Sequence, residues 1–210
     1  MMQQGKVRKL SIQAIYWDIG GVLVRTGDPQ PRTALAQRLG MSYQDLESLV
    51  FASEIGRKAQ RGEIPEAERW NYLAQELGIQ PEEVSTVRQA FFGGDFLDKE
   101  LVSYLQRLKP RYKLGVISNA MSGTRQFIEV QCGLVGLFDT LTFSAEVGVM
   151  KPDARIFWHA LASLGVEPAS AVFVDDFLHN IEAARLLGMR AVHFQSPAQA
   201  LAELEQILTA

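Results

Sequence analysis

The sequence predicts an α/β fold, a doubly wound parallel sheet into which an all-helical block is inserted. Three observations predict it. Short apolar runs rich in β-branched and aromatic residues recur along the chain, helical patterns separate the later ones, and residues 28–96 carry helical periodicity with almost no strand signal. Strands alternating with helices imply right-handed crossovers and a mostly parallel sheet covered on both faces.

The first strand is read in "SIQAIYW" (11–17), and Trp17 is expected in the core, as is Trp158 further on. Four helical segments follow: "PRTALAQRLG" (31–40), "SYQDLESLVFASE" (42–54), "PEAERWNYLAQELG" (65–78) and "PEEVSTVRQAFF" (81–92). Pro65 and Pro81 suit first helical positions, Ser42 with Asp45 resembles a capping box, and Gly40 and Gly78 suit C-terminal stops. The "GGVL" turn (20–23) and "FGGD" (92–95) flank this block as candidate hinges. Glu54, Arg57, Lys58 and Arg61 near its middle read as a solvated helix face. The expected division is a core domain of residues 1–27 and 97–210 with a helical insert at 28–96.

The remaining strands are "YKLGVIS" (112–118), a weaker "TLTFS" (140–144), "AVFVD" (171–175) and "RAVHF" (190–194). "DARIFWHALASLG" and "HNIEAARLLGM" are the helical patterns between them. Asp153 and Arg155 suit the cap of the first helix, and His159, His179 and His193 read as packing or surface residues.

Composition narrows the partners. The chain has 210 residues, 47% hydrophobic and 21% charged, which is enough to bury a substantial core. Its net charge of −3, with no basic block beyond the leader "KVRK", argues against nucleic acid or an anionic membrane as the main partner. The single Cys132 excludes an intrachain disulfide framework and a Cys-rich zinc site, and no apolar stretch reaches membrane-spanning length. A soluble, cytoplasmic protein is expected; the oligomeric state is not legible.

In an open parallel sheet, ligands bind beyond the carboxyl ends of the strands. Asp18 follows the first strand, Ser118 and Asn119 the second, and Asp175 and Asp176 follow "AVFV", while Lys151 sits in "VGVMKPD" before a helix. Three gathered carboxylates repel unless a cation lies among them, and hard oxygen ligands favour Mg²⁺. Mg²⁺ and a lysine neutralise a phosphate, a serine hydroxyl hydrogen-bonds its oxygens, and an aspartate can act as nucleophile towards phosphorus. The set reads as phosphoryl transfer.

The pieces "DIGGVL", "VISN", "KPDARIF" and "VFVDDFLHNIEAARLLGM" resemble, in order, the four motifs of the haloacid dehalogenase-like superfamily, and the insert resembles its C1-type helical cap. The closing segment is similar to bacterial phosphatases of glucose 1-phosphate. The resemblance implies a phosphatase of a small phosphate ester, with a sugar phosphate preferred. It makes Asp18 the nucleophile and a Mg²⁺ ligand, Ser118 and Asn119 phosphate-binding, and Lys151 a catalytic and phosphate-binding cation. It adds Asp176, Asp175 and the Gly20 carbonyl as metal ligands, Asp175 directly or through water.

One position departs from the family pattern. Most such phosphatases carry an acid/base aspartate two residues after the nucleophile, and here that residue is Gly20. Glycine keeps a carbonyl for the metal and cannot supply the proton. Alternatives are a non-catalytic phosphate- and metal-binding regulatory module, which Gly20 favours, or another chemistry of the family. The paired Asp175 and Asp176 argue against a metal-free dehalogenase, and a phosphomutase would need the missing aspartate even more.

Overall fold

The structure, a computed structural model, describes residues 11–210; the leader "KVRK" lies outside the described residues. Strand β1 (Ala14–Trp17) is followed by a short β2 (Val24–Thr26) and by helices α1 (Gln30–Arg38), α2 (Tyr43–Glu47), α3 (Glu54–Gln60), α4 (Glu66–Leu77) and α5 (Val84–Phe92). Strand β3 (Asp95–Leu97) closes this block, and α6 (Lys99–Leu108) leads into β4 (Lys113–Ser118). Then come α7 (Thr124–Gln126), β5 (Thr140–Phe143), α8 (Ser144–Val147), α9 (Ala154–Leu164), β6 (Ala171–Asp175), α10 (Leu178–Leu186), β7 (Arg190–His193) and α11 (Pro197–Thr209).

The main sheet has five parallel strands in the order β5-β4-β1-β6-β7, as an α/β doubly wound fold requires. Side chains alternate between its faces. Ile15 and Trp17 pack towards Leu101, Leu105, Ala200 and Leu204 of α6 and α11, while Ala14 and Tyr16 pack towards Ile156, Phe157, Ile181 and Ala184 of α9 and α10. Burial on both faces is why β1 reads as a continuous apolar run. From β1 the chain winds outwards through β4 and β5, then returns to β6 on its other side, so a crevice opens at the carboxyl end of β1.

Helices α1–α5 gather around a separate apolar cluster that includes Leu35, Leu46, Val50, Trp70, Leu73 and Phe91. The Ser42–Asp45 capping box is present, and Gly78 ends α4 at φ 66°, where a left-handed residue accommodates the helix stop. Pro65 stands one residue before α4, and Pro81 opens a 3₁₀ turn, Pro81–Glu83, ahead of α5. The stretch "SYQDLESLVFASE" is not one helix. It widens into a π turn at Ser48–Ala52 and stops at Ser53, whose hydroxyl accepts from Gly56 N and restarts the chain as α3. Glu54 pairs with Arg57 and Arg61 at the surface, so these residues form a solvated face.

The sequence reading missed β2 and β3, which pair antiparallel with Val24 opposite Leu97 and Thr26 opposite Asp95. Strands of three residues carry no readable period. Side chains fasten the ribbon: Arg25 pairs with Asp98, and Thr26 Oγ1 donates to Asp95 Oδ1 at 2.6 Å. Buried Arg32 of α1 joins it to the helices, reaching Asp95 at 3.0 Å and donating to the Phe91 carbonyl at 2.8 Å. Gly94 is required here, because a Cβ at that position would lie 1.7 Å from the Asp28 carbonyl oxygen.

Trp158 corrects an expectation. It is 49% exposed, because the buried stripe of α9 is Ile156, Phe157, Ala160 and Leu161, and Trp158 falls on the next face round.

Gly115 in β4 is a packing constraint: a Cβ there would lie 2.5 Å from Tyr16 Cδ1, and the Tyr16 hydroxyl is tethered to the Ala160 carbonyl at 2.9 Å. Gly115→Ala should therefore destabilise the fold by about 1–3 kcal/mol, the usual cost of overpacking. Urea unfolding checks this, with a lower midpoint at unchanged slope as the expected result.

Candidate active site

Strand β1 delivers Asp18 immediately beyond its last residue. The Asp18 N–H donates to the Val174 carbonyl at 2.9 Å, and its Oδ1 accepts from Ile19 N at 2.7 Å, so backbone and carboxylate are both held. Ser118 ends β4 and Asp175 ends β6, which places them on either side of Asp18. Lys151 enters from the loop before α9. Its Nζ lies 3.0 Å from Asp18 Oδ2 and 2.6 Å from Asp175 Oδ2, and donates to the Ile117 carbonyl at 2.9 Å. Asp18, Ser118, Lys151 and Asp175 are all buried.

Burial dominates the electrostatics. It pushes the Asp18 carboxyl up to about 7, against the downward pull of Lys151, while Asp175 and Asp176 add to the rise and the Ser118 hydroxyl opposes it. Asp176 is pushed up to about 6, by burial first and then by the neighbouring Asp175. Burial pulls the Lys151 ammonium down, but the attraction of Asp18 and Asp175 outweighs it and the net shift is upward. The ammonium stays charged.

The two adjacent aspartates differ in kind. Asp175 is engaged on both oxygens: Oδ1 accepts from Phe177 N at 2.7 Å and Asn180 Nδ2 at 3.0 Å, and Oδ2 from Lys151. Asp176 Oδ1 is buried and has no hydrogen-bond partner among the described residues. Oxygens of Asp18, Asp175 and Asp176 lie within 4.8 Å of one another. Three carboxylates around one ammonium, one of them with an unpartnered oxygen, fit a hard divalent cation.

Asp18, Ser118, Lys151, Asp175 and Asp176 are thus gathered at one sheet edge. Asn119 is near but its side chain is committed elsewhere: its Oδ1 accepts from Lys151 N at 2.7 Å, and its Nδ2 donates to Lys151 O at 3.0 Å. The amide braces the lysine loop. Gly20 is exposed, and a Cβ there would meet nothing within 4 Å.

Three residues of the site were missed. Gly21, at φ 77°, lies so close to Asp176 that a Cβ would sit 2.1 Å from its Oδ2. Asn180 holds Asp175; its legible signal was a polar residue on the buried stripe of α10 with Ile181 and Ala184. His193 is half-buried, with Nε2 at 2.9 Å from the Asp176 carbonyl, and is more than packing. His159 and His179 are exposed, the latter beside the Phe177 ring. Asp153 caps α9 and pairs with Arg155 at 2.7 Å. The helical block meets this edge where Glu66 N donates to Ser122 Oγ at 3.0 Å.

A family model for haloacid dehalogenase-like hydrolases matches residues 12–188. The chain is 29% identical over 200 residues to a drimenol cyclase of Aspergillus calidoustus, covering 93% of this chain and 36% of that protein. It is 27% identical over 199 residues to a sesquiterpene phosphatase of Aspergillus oryzae, covering 94% and 97%. The chain therefore spans little more than a third of the first relative and nearly all of the second. Among solved structures, a haloacid dehalogenase family enzyme of Bacteroides thetaiotaomicron in complex with magnesium and inorganic phosphate shares the fold. Its TM-score is 0.75 at 20% identity, over 89% of this chain and 96% of that one. No helix among the described residues is long and apolar enough to cross a membrane.

Lys151→Met removes the countercharge, and with it the main downward pull on Asp18. A carboxylate whose folded pKa is raised costs stability once pH exceeds its unfolded value, about 3.9, and the cost is relieved as pH falls through the folded value. The metal-free variant should lose about 3–5 kcal/mol at pH 8 and distinctly less at pH 5. Urea unfolding at both pH values reads this; equal losses would show that Lys151 is not the countercharge.

Proposed function

The chain belongs to the haloacid dehalogenase-like hydrolases, and we propose that within this family it is a Mg²⁺-dependent phosphatase of a small phosphorylated metabolite, with a sugar phosphate preferred. The observation that carries this reading is the buried Lys151 ammonium between Asp18 and Asp175, with the unpartnered oxygen of Asp176 beside them. The phosphatase name of the A. oryzae relative supports the reaction class, and the similarity of the closing motif to sugar-phosphate phosphatases supports the substrate.

In this reading the Asp18 carboxylate attacks phosphorus, the bond from phosphorus to the leaving oxygen breaks, and an aspartyl-phosphate forms. Lys151 offsets the negative charge of Asp18 and of the transferring group in a site where water is largely excluded. Ser118 hydrogen-bonds the phosphate oxygens, and Asn119 serves the same end by bracing the lysine loop. Water then adds to phosphorus, releasing inorganic phosphate and restoring the Asp18 carboxylate. Asp18, Asp176, the Gly20 carbonyl and Asp175 would hold Mg²⁺, Asp175 directly or through water. When bound, the cation neutralises negative charge on the phosphate. Residues 28–96 act as a cap over the core of 1–27 and 97–210, closing on substrate and opening to release product.

Gly20 sets the range of substrates. A positioned general acid is worth about 10²–10⁴-fold, and its loss falls hardest on poor leaving groups. Anomeric sugar phosphates, acyl phosphates and aryl phosphates carry leaving oxygens that need less protonation. Gly20 is also the one observation that favours a non-catalytic module.

Phosphate release, with and without Mg²⁺, should fade along a series from aryl and acyl phosphates through glucose 1-phosphate to glycerol phosphate. Farnesyl phosphate is added to represent the class named by the A. oryzae relative. Asp18→Asn should abolish turnover with the fold intact; a full rate would remove Asp18 as nucleophile. Folded wild-type protein that binds Mg²⁺ and releases no phosphate from any of them would select the non-catalytic reading. The open space at position 20 admits a side chain, so Gly20→Asp should raise the rate on glycerol phosphate about 10²-fold and leave aryl phosphate nearly unchanged. Equal gains on both would overturn the missing-acid argument.

A further inference from the structure

Strand β7 runs parallel to β6 with His193 opposite Asp175. Its end is pinned from two sides. Phe194 N donates to the Asp175 carbonyl at 2.8 Å, and Gln199 Nε2 donates to the His193 carbonyl at 3.0 Å. Gln199 is held in turn by the capping box with Ser196 that starts α11. The His193 backbone therefore has little freedom, and its imidazole Nε2 sits 2.9 Å from the Asp176 carbonyl oxygen. A carbonyl offers no hydrogen, so this contact requires Nε2 to carry the proton and donate.

Asp176 needs such support more than its neighbour does. The Asp175 carboxylate is oriented directly by Phe177 N, Asn180 and Lys151. Asp176 Oδ1 is buried with no partner among the described residues, so contacts to that oxygen do not set its direction. Beyond the bond to its own backbone N–H, two features bear on it: the bare Cα of Gly21 against the carboxylate, and the grip of His193 on the carbonyl of the same residue. Fixing that carbonyl fixes the peptide plane that follows Asp176, and with it the backbone from which the carboxylate projects.

We propose that His193 is a positioning residue for the cation site: by donating to the Asp176 carbonyl it holds the Asp176 carboxylate facing Asp18. The proposal rests on the reading of the acidic cluster as a Mg²⁺ site. Removing support of this kind from a metal ligand typically weakens metal affinity about 10–100-fold. His193 touches neither substrate nor cation in this scheme.

The test is calorimetric titration of Mg²⁺ into the full chain as wild type, His193→Phe, His193→Gln and Asp176→Asn, with the Mg²⁺-induced rise in melting temperature as a second readout. His193→Phe keeps a planar ring and loses the donor; His193→Gln keeps an amide donor at similar reach. His193→Phe should bind Mg²⁺ at least about 10-fold more weakly, His193→Gln should recover most of that loss, and Asp176→Asn should bind weakest. Unchanged affinity in His193→Phe overturns the proposal, and so does equal weakening in both His193 variants, which would make the role one of packing. Wild-type protein that binds no Mg²⁺ would instead remove the metal reading itself, and the proposal with it.

Discussion

The structure at the sheet edge depends on one buried ion pair cluster, the Lys151 ammonium clasped by Asp18 and Asp175. In a low-dielectric interior, isolated carboxylates at the ends of β1 and β6 would be held protonated or pushed apart. The ammonium lets both stay where the sheet puts them. It also donates to the Ile117 carbonyl on β4, so one side chain ties together β1, β4 and β6, the three central strands of the sheet. Asn119 closes the arrangement by gripping the lysine's own main chain from the end of β4.

The cluster is deliberately short of positive charge. Asp18 and Asp176 both sit above the ordinary carboxylate range, burial being the first cause in each. A protein selected for stability alone would replace such a set with apolar residues. An arrangement that keeps several negative oxygens in one buried place is suited to holding a cation and the charged group that cation attracts. The surroundings match: Gly21 brings bare backbone against one carboxylate, and Asp175 is held both by Lys151 and by the start of α10.

The parallel sheet was legible because its central strands β1, β4 and β6 are buried on both faces and so appear as apolar runs, and the polar residues ending those runs stood out by contrast. Asp18, Ser118, Asp175 and Asp176 owe their visibility to that boundary. Lys151 stood out as the cation in a loop leading into a helix, and the order of the motifs gave it its role. What escaped had no such contrast. Strands β2 and β3 are too short for a period, Asn180 was hidden inside a helical pattern, and His193 lies at a strand end where an aromatic-sized residue looks like packing. Trp158 was misplaced because residue type outweighed helix phase, and phase decides which face is wet. The break at Ser53 was invisible for a related reason, since a serine inside a helical pattern becomes a cap only when the backbone turns extended.

The β2–β3 ribbon has a wider consequence. Thr26 and Asp95 are paired across it, so everything between them begins and ends at one place. To the rest of the chain the intervening segment is a closed loop whose ends are already joined, and lengthening such a loop adds only about 0.6 kcal/mol per doubling. The helices can gain, lose or reshape turns while the sheet, the lysine cluster and the approach of Gly21 keep their register. Change within the inserted helices is thereby mechanically uncoupled from the geometry that holds Lys151 between Asp18 and Asp175.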